Sequence, residues 1–302
     1  GVVRVIRRML APLGRRLDES SPMVDARLPD GSRVNAIIPP LALDGPSISI
    51  RKFTGNYLSA QELIDSGSLT EACLDTMVKA VESQRNIIIS GGTGTGKTTM
   101  LNLISQYIPR QERILTIEDS AELVLNHPHV VRLETRPANT EGRGRISARE
   151  LVINALRMRP DRIILGEVRS NEIIELLQAM NTGHDGSMST IHANSTRDAL
   201  VRIETLLAVS GYEASETAIG RLIGSALDII IQRERLPDGR RRVSEVVAVT
   251  PKENDLSHGL PVQESGMSAV ELLGMAQMLG IIAVLTVLMQ LVWFRYRQRS
   301  LL

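Results

Sequence analysis

The sequence contains a single cysteine, Cys73, among its 302 residues. One cysteine excludes an intramolecular disulfide and a zinc site built from several cysteines, and it favours a reducing compartment. Aromatic residues are also scarce, with one Trp, four Tyr and two Phe, so platforms that stack single-stranded bases are not expected. The formal net charge of +1 excludes nucleic-acid binding through a bulk basic excess. We therefore expect no direct nucleic-acid binding.

Charge is missing from one long stretch near the C-terminus, Leu272 to Phe294. As a helix this stretch would be about 34 Å long, enough for a hydrocarbon layer of about 30 Å. We predict a linker over residues 251–267 and a transmembrane tail over residues 268–302. A helix on the membrane surface, a subunit-packing helix and an artefact of gene prediction are the alternatives.

The rest of the chain divides by pattern into three parts. Residues 1–55 contain alternating strands, two of them joined by the turn Pro29–Gly31, and are predicted to be a partial α+β N-terminal domain that begins inside the domain. Residues 56–67 are polar and broken by glycine, and are predicted to be a linker. In residues 68–250 short apolar strands alternate with helices, which favours an α/β domain with a parallel sheet covered on both faces.

Capping patterns predict where two helices of this α/β domain begin. Ser68 with Glu71 precedes apolar residues at helical spacing, and Ser147 with Glu150 precedes another such run. Both helices are therefore expected to begin directly after these serines.

The residues GGTGTGKT follow the buried strand NIIIS and precede a helix. They match the pattern G-x-x-x-x-G-K-[ST], whose glycines turn backbone N–H groups toward phosphate at the positive end of a helix dipole. Lys97 is predicted to reach the outer phosphates of ATP, and Thr98 to bind Mg²⁺. A glycine-rich turn without a ligand is the alternative. The predicted nucleotide-binding residues are Gly91, Gly92, Thr93, Gly94, Thr95, Gly96, Lys97, Thr98 and Thr99.

Carboxylates follow two of the predicted strands. Glu118 and Asp119 end LTIED, and Glu167 ends RIILGE. The carboxyl ends of parallel strands meet at one edge of the sheet, beside the phosphate loop. Carboxylates at that edge can hold Mg²⁺ or orient the attacking water. Acids that complement a helix dipole are the alternative.

One histidine and two arginines are further candidates. His192 follows the apolar run SMSTI at the same edge and could contact the γ-phosphate, although a structural histidine is the alternative. Arg132 and Arg136 in VVRLETR are predicted to share one face of a strand. There they could neutralise phosphate charge in the same subunit or in a neighbour, with solvated surface arginines as the alternative.

Four phrases in order along the chain, GGTGTGKT, TIED, RIILGE and GHDGSMSTIHA, resemble the signature boxes of the secretion ATPase superfamily, which powers type II secretion, type IV pili and type IV secretion. The flanking phrases look most like its tight-adherence (Flp) pilus branch, the CpaF/TadA-type ATPases. The resemblance extends from about Leu10 to about Val249. It implies a homohexameric motor in which an N-terminal domain moves against a RecA-like P-loop domain.

The resemblance also implies roles for individual residues. Glu118 would be the general base for water, and Glu167 would be the Walker B acid beside Mg²⁺. His192 would be the histidine of the fourth box. Arg132 and Arg136 would be arginines on the phosphate side.

The predicted function is an ATP-hydrolysing motor for export or assembly of pilins at the cytoplasmic face of the bacterial inner membrane, with inner-membrane platform proteins as partners. The resemblance also implies that Arg33 and Arg51 belong to the N-terminal segment that closes over nucleotide in this family, which makes them secondary candidates for the same phosphate-side role. Alternatives are a type IV secretion ATPase for DNA or effector transfer, a phosphoryl-transfer enzyme acting on a small acceptor, and a membrane-tethered nucleotide-binding scaffold without turnover. Arginines that follow the charge-free stretch would place the C-terminus in the cytosol, so a cytosolic ATPase requires a reversed or re-entrant tail.

Overall fold

The computed structural model describes residues 1–52, 58–138 and 143–249. The predicted linker 251–267 and the predicted tail 268–302 lie outside the described residues. Within the three described ranges, no helix is both long and apolar enough to cross a membrane.

Helices and strands alternate through most of the described chain. The helices are α1 (Val2–Leu10), α2 (Ala60–Asp65), α3 (Glu71–Glu82), α4 (Lys97–Ser105), α5 (Ala148–Ala155), α6 (Glu172–Asn181), α7 (Thr196–Val209) and α8 (Glu216–Ala226). The strands are β1 (Met23–Arg27), β2 (Arg33–Ile37), β3 (Ser47–Arg51), β4 (Ile87–Gly91), β5 (Ile114–Glu118), β6 (Val130–Glu134), β7 (Arg162–Val168), β8 (Met188–Ile191), β9 (Ile229–Arg235) and β10 (Arg241–Ala248).

The N-terminal part is a three-stranded antiparallel sheet in the order β1-β2-β3, with α1 packed against it. The turn between β1 and β2 lies where the sequence predicts it. The Asp30 carboxylate accepts hydrogen bonds from the Ser32 amide and hydroxyl, and Gly31 adopts a φ of +86°. Ile6 and Leu10 of α1 are buried in a small core of their own. The predicted α+β character of this part is therefore confirmed.

The α/β domain is built on a seven-stranded sheet in the order β10-β9-β4-β8-β7-β5-β6. All neighbours pair in parallel except the hairpin β9–β10. Alternate side chains of β4 point to opposite faces, because Ile88 lies in one buried cluster and Ile87 and Ile89 lie in the other. The first cluster is covered by α5 to α8 and the second by α2 to α4. The predicted parallel sheet covered on both faces is confirmed.

Two local predictions differ from the structure. The predicted linker 56–67 contains the helix α2, which is capped by Ser59 and buries Leu63 in the core of the α/β domain. The capping box predicted at Ser68 is wrong, because Thr70 caps α3 by accepting a hydrogen bond from the Cys73 amide. Ser68 is instead buried against the β9–β10 hairpin, which binds both its carbonyl and its hydroxyl oxygen.

The capping box at the start of α5 is confirmed. The Ser147 hydroxyl accepts a hydrogen bond from the Glu150 amide, and the Glu150 carboxylate accepts one from the Ser147 amide. This cap holds the chain after β6 close to the carboxyl ends of the sheet, where Ser147 lines a cavity.

Candidate active site

The glycine-rich loop joins the buried strand β4 to α4. Gly94 and Gly96 adopt φ angles of +73° and +88°, a region that residues with a side chain rarely enter. A Cβ atom added to Gly91 would lie 2.6 Å from the carbonyl oxygen of Arg233, so the backbone of β9 leaves no room for one. Glycine is therefore required at these positions, and the loop delivers its N–H groups to the N-terminus of α4.

Lys97 is the first residue of α4, and its ammonium group lies inside the loop. Its Nζ donates hydrogen bonds to the carbonyl oxygens of Gly91 at 2.8 Å and Gly92 at 2.9 Å. The side chain is buried, and this desolvation lowers the pKa of Lys97 against the opposing attraction of Glu167. A buried ammonium that has only carbonyl oxygens and a histidine as hydrogen-bond partners is well suited to bind a phosphate group.

A cavity of about 770 Å³ opens at the carboxyl ends of the central strands and reaches the N-terminal sheet. Its volume lies within the range of small-molecule sites, about 300–1,000 Å³. The cationic side chains that line it are Arg33, Arg51, Lys97, Arg136, Arg145, Arg169 and Arg241. The carboxylates that line it are Glu118, Asp119, Glu122, Glu167 and Glu172. The excess of cations favours a polyanionic ligand.

Glu118 ends β5 and is 5% exposed. Its Oε1 accepts hydrogen bonds from the amides of Glu122 and Leu123, both at 2.9 Å. Its Oε2 is buried and has no hydrogen-bond partner among the described residues. Burial raises the pKa of Glu118 above its ordinary value of 4.5, although the two amides and Arg132 oppose the shift. The carboxylate is thus held by one oxygen and has the other free to accept a proton.

Gly166 creates the space that Glu118 occupies. A Cβ atom added to Gly166 would lie 2.9 Å from the Glu118 Cγ, because β5 and β7 are neighbours in the sheet. Gly166 in RIILGE is therefore needed because a side chain there would collide with Glu118. The sequence around Gly166 does not reveal this contact.

Glu167 and His192 form a network with Lys97. His192 Nε2 lies 2.7 Å from Glu167 Oε1, and His192 Nδ1 lies 3.2 Å from Lys97 Nζ. Burial, followed by the charge of Lys97, lowers the pKa of His192 below its ordinary value of 6.5, so the ring is neutral near pH 7. Since Nδ1 faces an ammonium donor, we assign the ring proton to Nε2, the ring nitrogen nearer the Glu167 carboxylate.

The two predicted arginines occupy different places. Arg136 lines the cavity, but it follows β6 rather than lying within it, and its Nε donates to the Gly144 carbonyl at 2.6 Å. Arg132 lies on β6 close enough to lower the pKa of Glu118, yet it is not one of the residues that line the cavity. The prediction that both share one strand face is wrong, because β6 ends at Glu134 and the chain then bridges to Ile146.

Arg169 is a cavity residue that the sequence reasoning does not identify. Its Nε donates to Glu167 at 2.7 Å, and its Nη1 lies 3.1 Å from Asp119 Oδ2. The guanidinium therefore joins the acids at the ends of β5 and β7. Its position two residues after Glu167, in GEVR, is the signal that could have identified it.

Four further arginines line the cavity, and the sequence either does not identify them or offers them only as secondary candidates. Arg145 and Arg241 line the cavity, and Arg33 and Arg51 do so from the N-terminal sheet. The Arg241 Nε donates to the Gly94 carbonyl of the phosphate loop at 2.7 Å. Arg241 is 147 residues from Gly94, so no local pattern could have indicated this contact.

The donor set suits a magnesium ion that arrives with its nucleotide. Within the described residues, no group of three or more His, Cys, Asp or Glu side chains could hold a metal ion unaided. Mg²⁺ in nucleotide enzymes is held by one or two protein oxygens together with phosphate oxygens. Thr98 and Glu167 both line the cavity and offer such oxygens.

Comparison with known proteins gives three findings. A family model described as "Type II/IV secretion system protein" matches residues 1–237. A putative conjugal transfer protein of Mycobacterium tuberculosis is 37% identical over 258 residues, which cover 83% of this chain and 73% of that protein. The type IV secretion system protein VirB11 of Bartonella quintana is 31% identical over 281 residues, which cover 81% and 78%.

A solved structure supports the same relationship. The VirB11 ATPase of the Brucella suis type IV secretion system, crystallised with sulphate, aligns with a TM-score of 0.52 at 27% identity, covering 82% of this chain and 80% of that one.

Proposed function

This chain belongs to the family of type II/IV secretion system proteins, and we propose that it is an ATP-hydrolysing motor that uses Mg²⁺ to drive export or the assembly of protein subunits. The observation that supports this most directly is the convergence on one cavity of the phosphate loop, the buried Glu118 and the Glu167–His192–Lys97 network. A phosphate loop alone would fit many nucleotide enzymes, whereas a partly unpaired carboxylate beside it fits activation of a water molecule.

Binding of the triphosphate uses the loop and its cations. The N–H groups of the loop and the dipole of α4 attract the phosphates, and Lys97 neutralises their charge. Thr98 and Glu167 would hold Mg²⁺, which neutralises charge on the outer phosphates when it is bound. Arg136, Arg145 and Arg169 also line the cavity, where they can contact a phosphate group.

Water activation uses the unpaired oxygen of Glu118. The two backbone amides hold Oε1, so the proton from water passes to Oε2. The raised pKa of Glu118 makes it a better proton acceptor than an ordinary glutamate. His192 stays neutral between Lys97 and Glu167, so it orients both groups without adding a charge.

The N-terminal sheet touches the segment that holds Glu118. Arg33 Nη2 donates to the Ser120 carbonyl at 2.9 Å, and Arg27 Nη2 donates to the Ala121 carbonyl at 3.2 Å. The next two amides of this segment, those of Glu122 and Leu123, hold the Glu118 carboxylate. A displacement of the N-terminal sheet would therefore change the position of the general base. This connection provides a route by which hydrolysis and domain motion are coupled.

Arg27→Gln tests this coupling, because Arg27 contacts the segment from outside the cavity. The variant loses the bond to Ala121 and the ion pair with Glu134, whose atoms are 2.7 Å apart. We expect kcat for ATP to fall about two- to fivefold while KM stays the same, since partly exposed pairs contribute up to about 1 kcal/mol. Steady-state phosphate release measures both constants.

Arg16→Gln is the matched control for this experiment. Arg16 is also in the N-terminal part, where its Nε lies 3.1 Å from Asp18 Oδ2. Arg16 does not line the cavity. The control should hydrolyse ATP at the wild-type rate. An unchanged kcat in Arg27→Gln would contradict the proposed coupling.

The transported substrate separates two versions of this function. The tight-adherence pilus branch remains the prediction from the flanking phrases. The relatives named for conjugal transfer and for VirB11 favour the second candidate, a type IV secretion motor. In both versions we propose a homohexamer that works with inner-membrane platform proteins at the cytoplasmic face. Co-purification from cells would separate them by the membrane partners recovered.

Hydrolysis itself is tested with the purified protein. We expect phosphate release from ATP in the presence of Mg²⁺ and almost none after chelation with EDTA, because the outer-phosphate charge is then uncompensated. Light scattering in the same buffer measures the mass of the assembly against the chain mass of 33.2 kDa. Nucleotide binding without phosphate release would instead support the scaffold alternative.

A further inference from the structure

Two arginines of the β9–β10 hairpin, Arg233 and Arg241, donate hydrogen bonds to the phosphate loop. The buried Arg233 donates from Nε to the Thr95 carbonyl at 3.2 Å. The exposed Arg241 donates from Nε to the Gly94 carbonyl at 2.7 Å. The Arg233 Nη2 lies 3.1 Å from the position that a Cβ of Gly96 would take, so the guanidinium is directly behind the loop.

Neither arginine has a carboxylate partner within residues 1–52, 58–138 and 143–249. Arg233 is 2% exposed, and its remaining bonds go to the carbonyl and hydroxyl oxygens of Ser68 at 3.4 and 3.3 Å. Arg241 is close enough to Arg233 to oppose its charge, and their strands are paired in the hairpin. Burying a charge without a counter-ion is costly, and a second like charge nearby adds to that cost. Such an arrangement is expected where an anion completes the site.

The Arg233 guanidinium keeps its charge in this environment. Burial, followed by the charge of Arg241, lowers its pKa to about 10, which still leaves the group protonated near pH 7. A buried charge is also poorly screened by salt, so it acts on a phosphate chain across the thickness of the loop.

We propose that Arg233 and Arg241, the hairpin arginine pair, are positioning residues that hold the phosphate loop in its anion-binding shape and supply positive charge to the polyphosphate chain of the nucleotide. This inference rests on the proposed nucleotide site. It adds to that site two positively charged side chains that lie far from the phosphate loop in the sequence. Because the effect is electrostatic, the contribution of the pair grows with the number of phosphates on the ligand.

The pair also explains a packing feature of the fold. Ser68, three residues before α3, accepts hydrogen bonds from Arg233 and from the Val243 amide of β10. The hairpin thus ties the entry to the α/β domain to the phosphate loop. Only a guanidinium has enough donors, in a planar fork, to reach both Thr95 and Ser68 from one buried position.

The test compares ATP, ADP and AMP in competition with a fluorescent ATP analogue. We expect Arg241→Met to weaken ATP binding about three- to tenfold, ADP binding less, and AMP binding hardly at all. Arg233→Met should weaken ATP binding about tenfold or more, and Arg233→Lys should recover part of the loss because it keeps the charge. Thermal unfolding of each ligand-free variant shows whether it is folded.

Arg242→Met is the matched control, since it removes one positive charge from the next residue of the same strand. Arg242 pairs with Glu234 at 2.5 Å and does not line the cavity, so the variant should bind all three nucleotides as the wild type does. Lys97→Ala is the reference for the nucleotide site itself.

The outcomes separate the two levels of the proposal. If Arg233→Met and Arg241→Met bind ATP as the wild type does while Lys97→Ala does not, the hairpin inference is overturned and the nucleotide site stands. Equal loss of ATP, ADP and AMP binding confined to Arg233→Met would reduce Arg233 to a packing role and also overturn the inference. If Lys97→Ala binds ATP normally, the nucleotide site is wrong and the inference falls with it.

Discussion

Lys97→Ala is expected to weaken ATP binding by about a hundredfold or more and to reduce hydrolysis to background. Hydrogen bonds to charged groups contribute about 1.5–3 kcal/mol each. The alanine variant loses at least two such bonds, those that the ammonium would donate to two phosphate groups. The wild-type ammonium is buried in the loop, where its charge is poorly screened. Calorimetric titration with a non-hydrolysable ATP analogue measures the loss of affinity directly.

Lys79→Ala is the matched control for this variant. Lys79 lies on the exposed side of α3, where it pairs with Asp75 at 2.6 Å, and it is not among the cavity residues. Its removal should leave ATP affinity unchanged. If Lys97→Ala bound the analogue within twofold of wild type, the phosphate loop would not be the nucleotide site.

Glu118→Gln is expected to lower kcat for ATP hydrolysis by about 10²- to 10⁴-fold with little change in ATP affinity. The glutamine retains an oxygen that can accept the amides of Glu122 and Leu123, so the local fold should persist. The amide cannot take a proton from water, so only the chemical step is impaired. Steady-state phosphate release and nucleotide titration together separate the two effects.

The pH dependence gives a second readout of the same residue. A general base must be deprotonated, so the rate should fall as the pH drops through the raised pKa of Glu118, above the pH expected for an ordinary glutamate. The residual rate of Glu118→Gln should lack the part of this decline that Glu118 causes. His192 also titrates on the acid side, with a lowered pKa, and its protonation would place a second positive charge beside Lys97.

Glu204→Gln is a control matched in the direction of its pKa shift. The Glu204 carboxyl also has a pKa raised by burial, followed by the charge of Glu216, but it lies on α7 and does not line the cavity. Its replacement should change neither kcat nor the acid side of the profile. A wild-type kcat in Glu118→Gln would instead assign water activation to another group.

The contacts around the nucleotide site suit a motor of the secretion family, because they join the site to two elements outside it. The contacts of Arg27 and Arg33 put the N-terminal sheet on the segment that holds Glu118, while Arg233 and Arg241 put the β9–β10 hairpin on the phosphate loop. The nucleotide site is therefore supported from both ends of the described chain. A motor needs such connections, because the energy of hydrolysis has to reach parts of the protein outside the site.

Much of the fold was predictable because its signals are local. The pattern of apolar strands and helices predicts the parallel sheet, and the capping box at Ser147 predicts the start of α5. Predictions failed where distant contacts decided the structure. The box at Ser68 has the same residue types as the one at Ser147, but Ser68 is bound by the hairpin, so α3 begins after Thr70.

The sequence by itself determined the phosphate loop and brought Glu118, Glu167 and His192 to the same edge of the sheet, because the carboxyl ends of parallel strands converge whatever their order. The tertiary structure alone decided which oxygen of Glu118 is free, which way Arg136 turns after β6, and which arginines join the loop. The last of these depends on the order of strands in the sheet. Since β9 lies directly beside β4, Arg233 meets Thr95 across a separation of 138 residues, and no pattern along the chain records that contact.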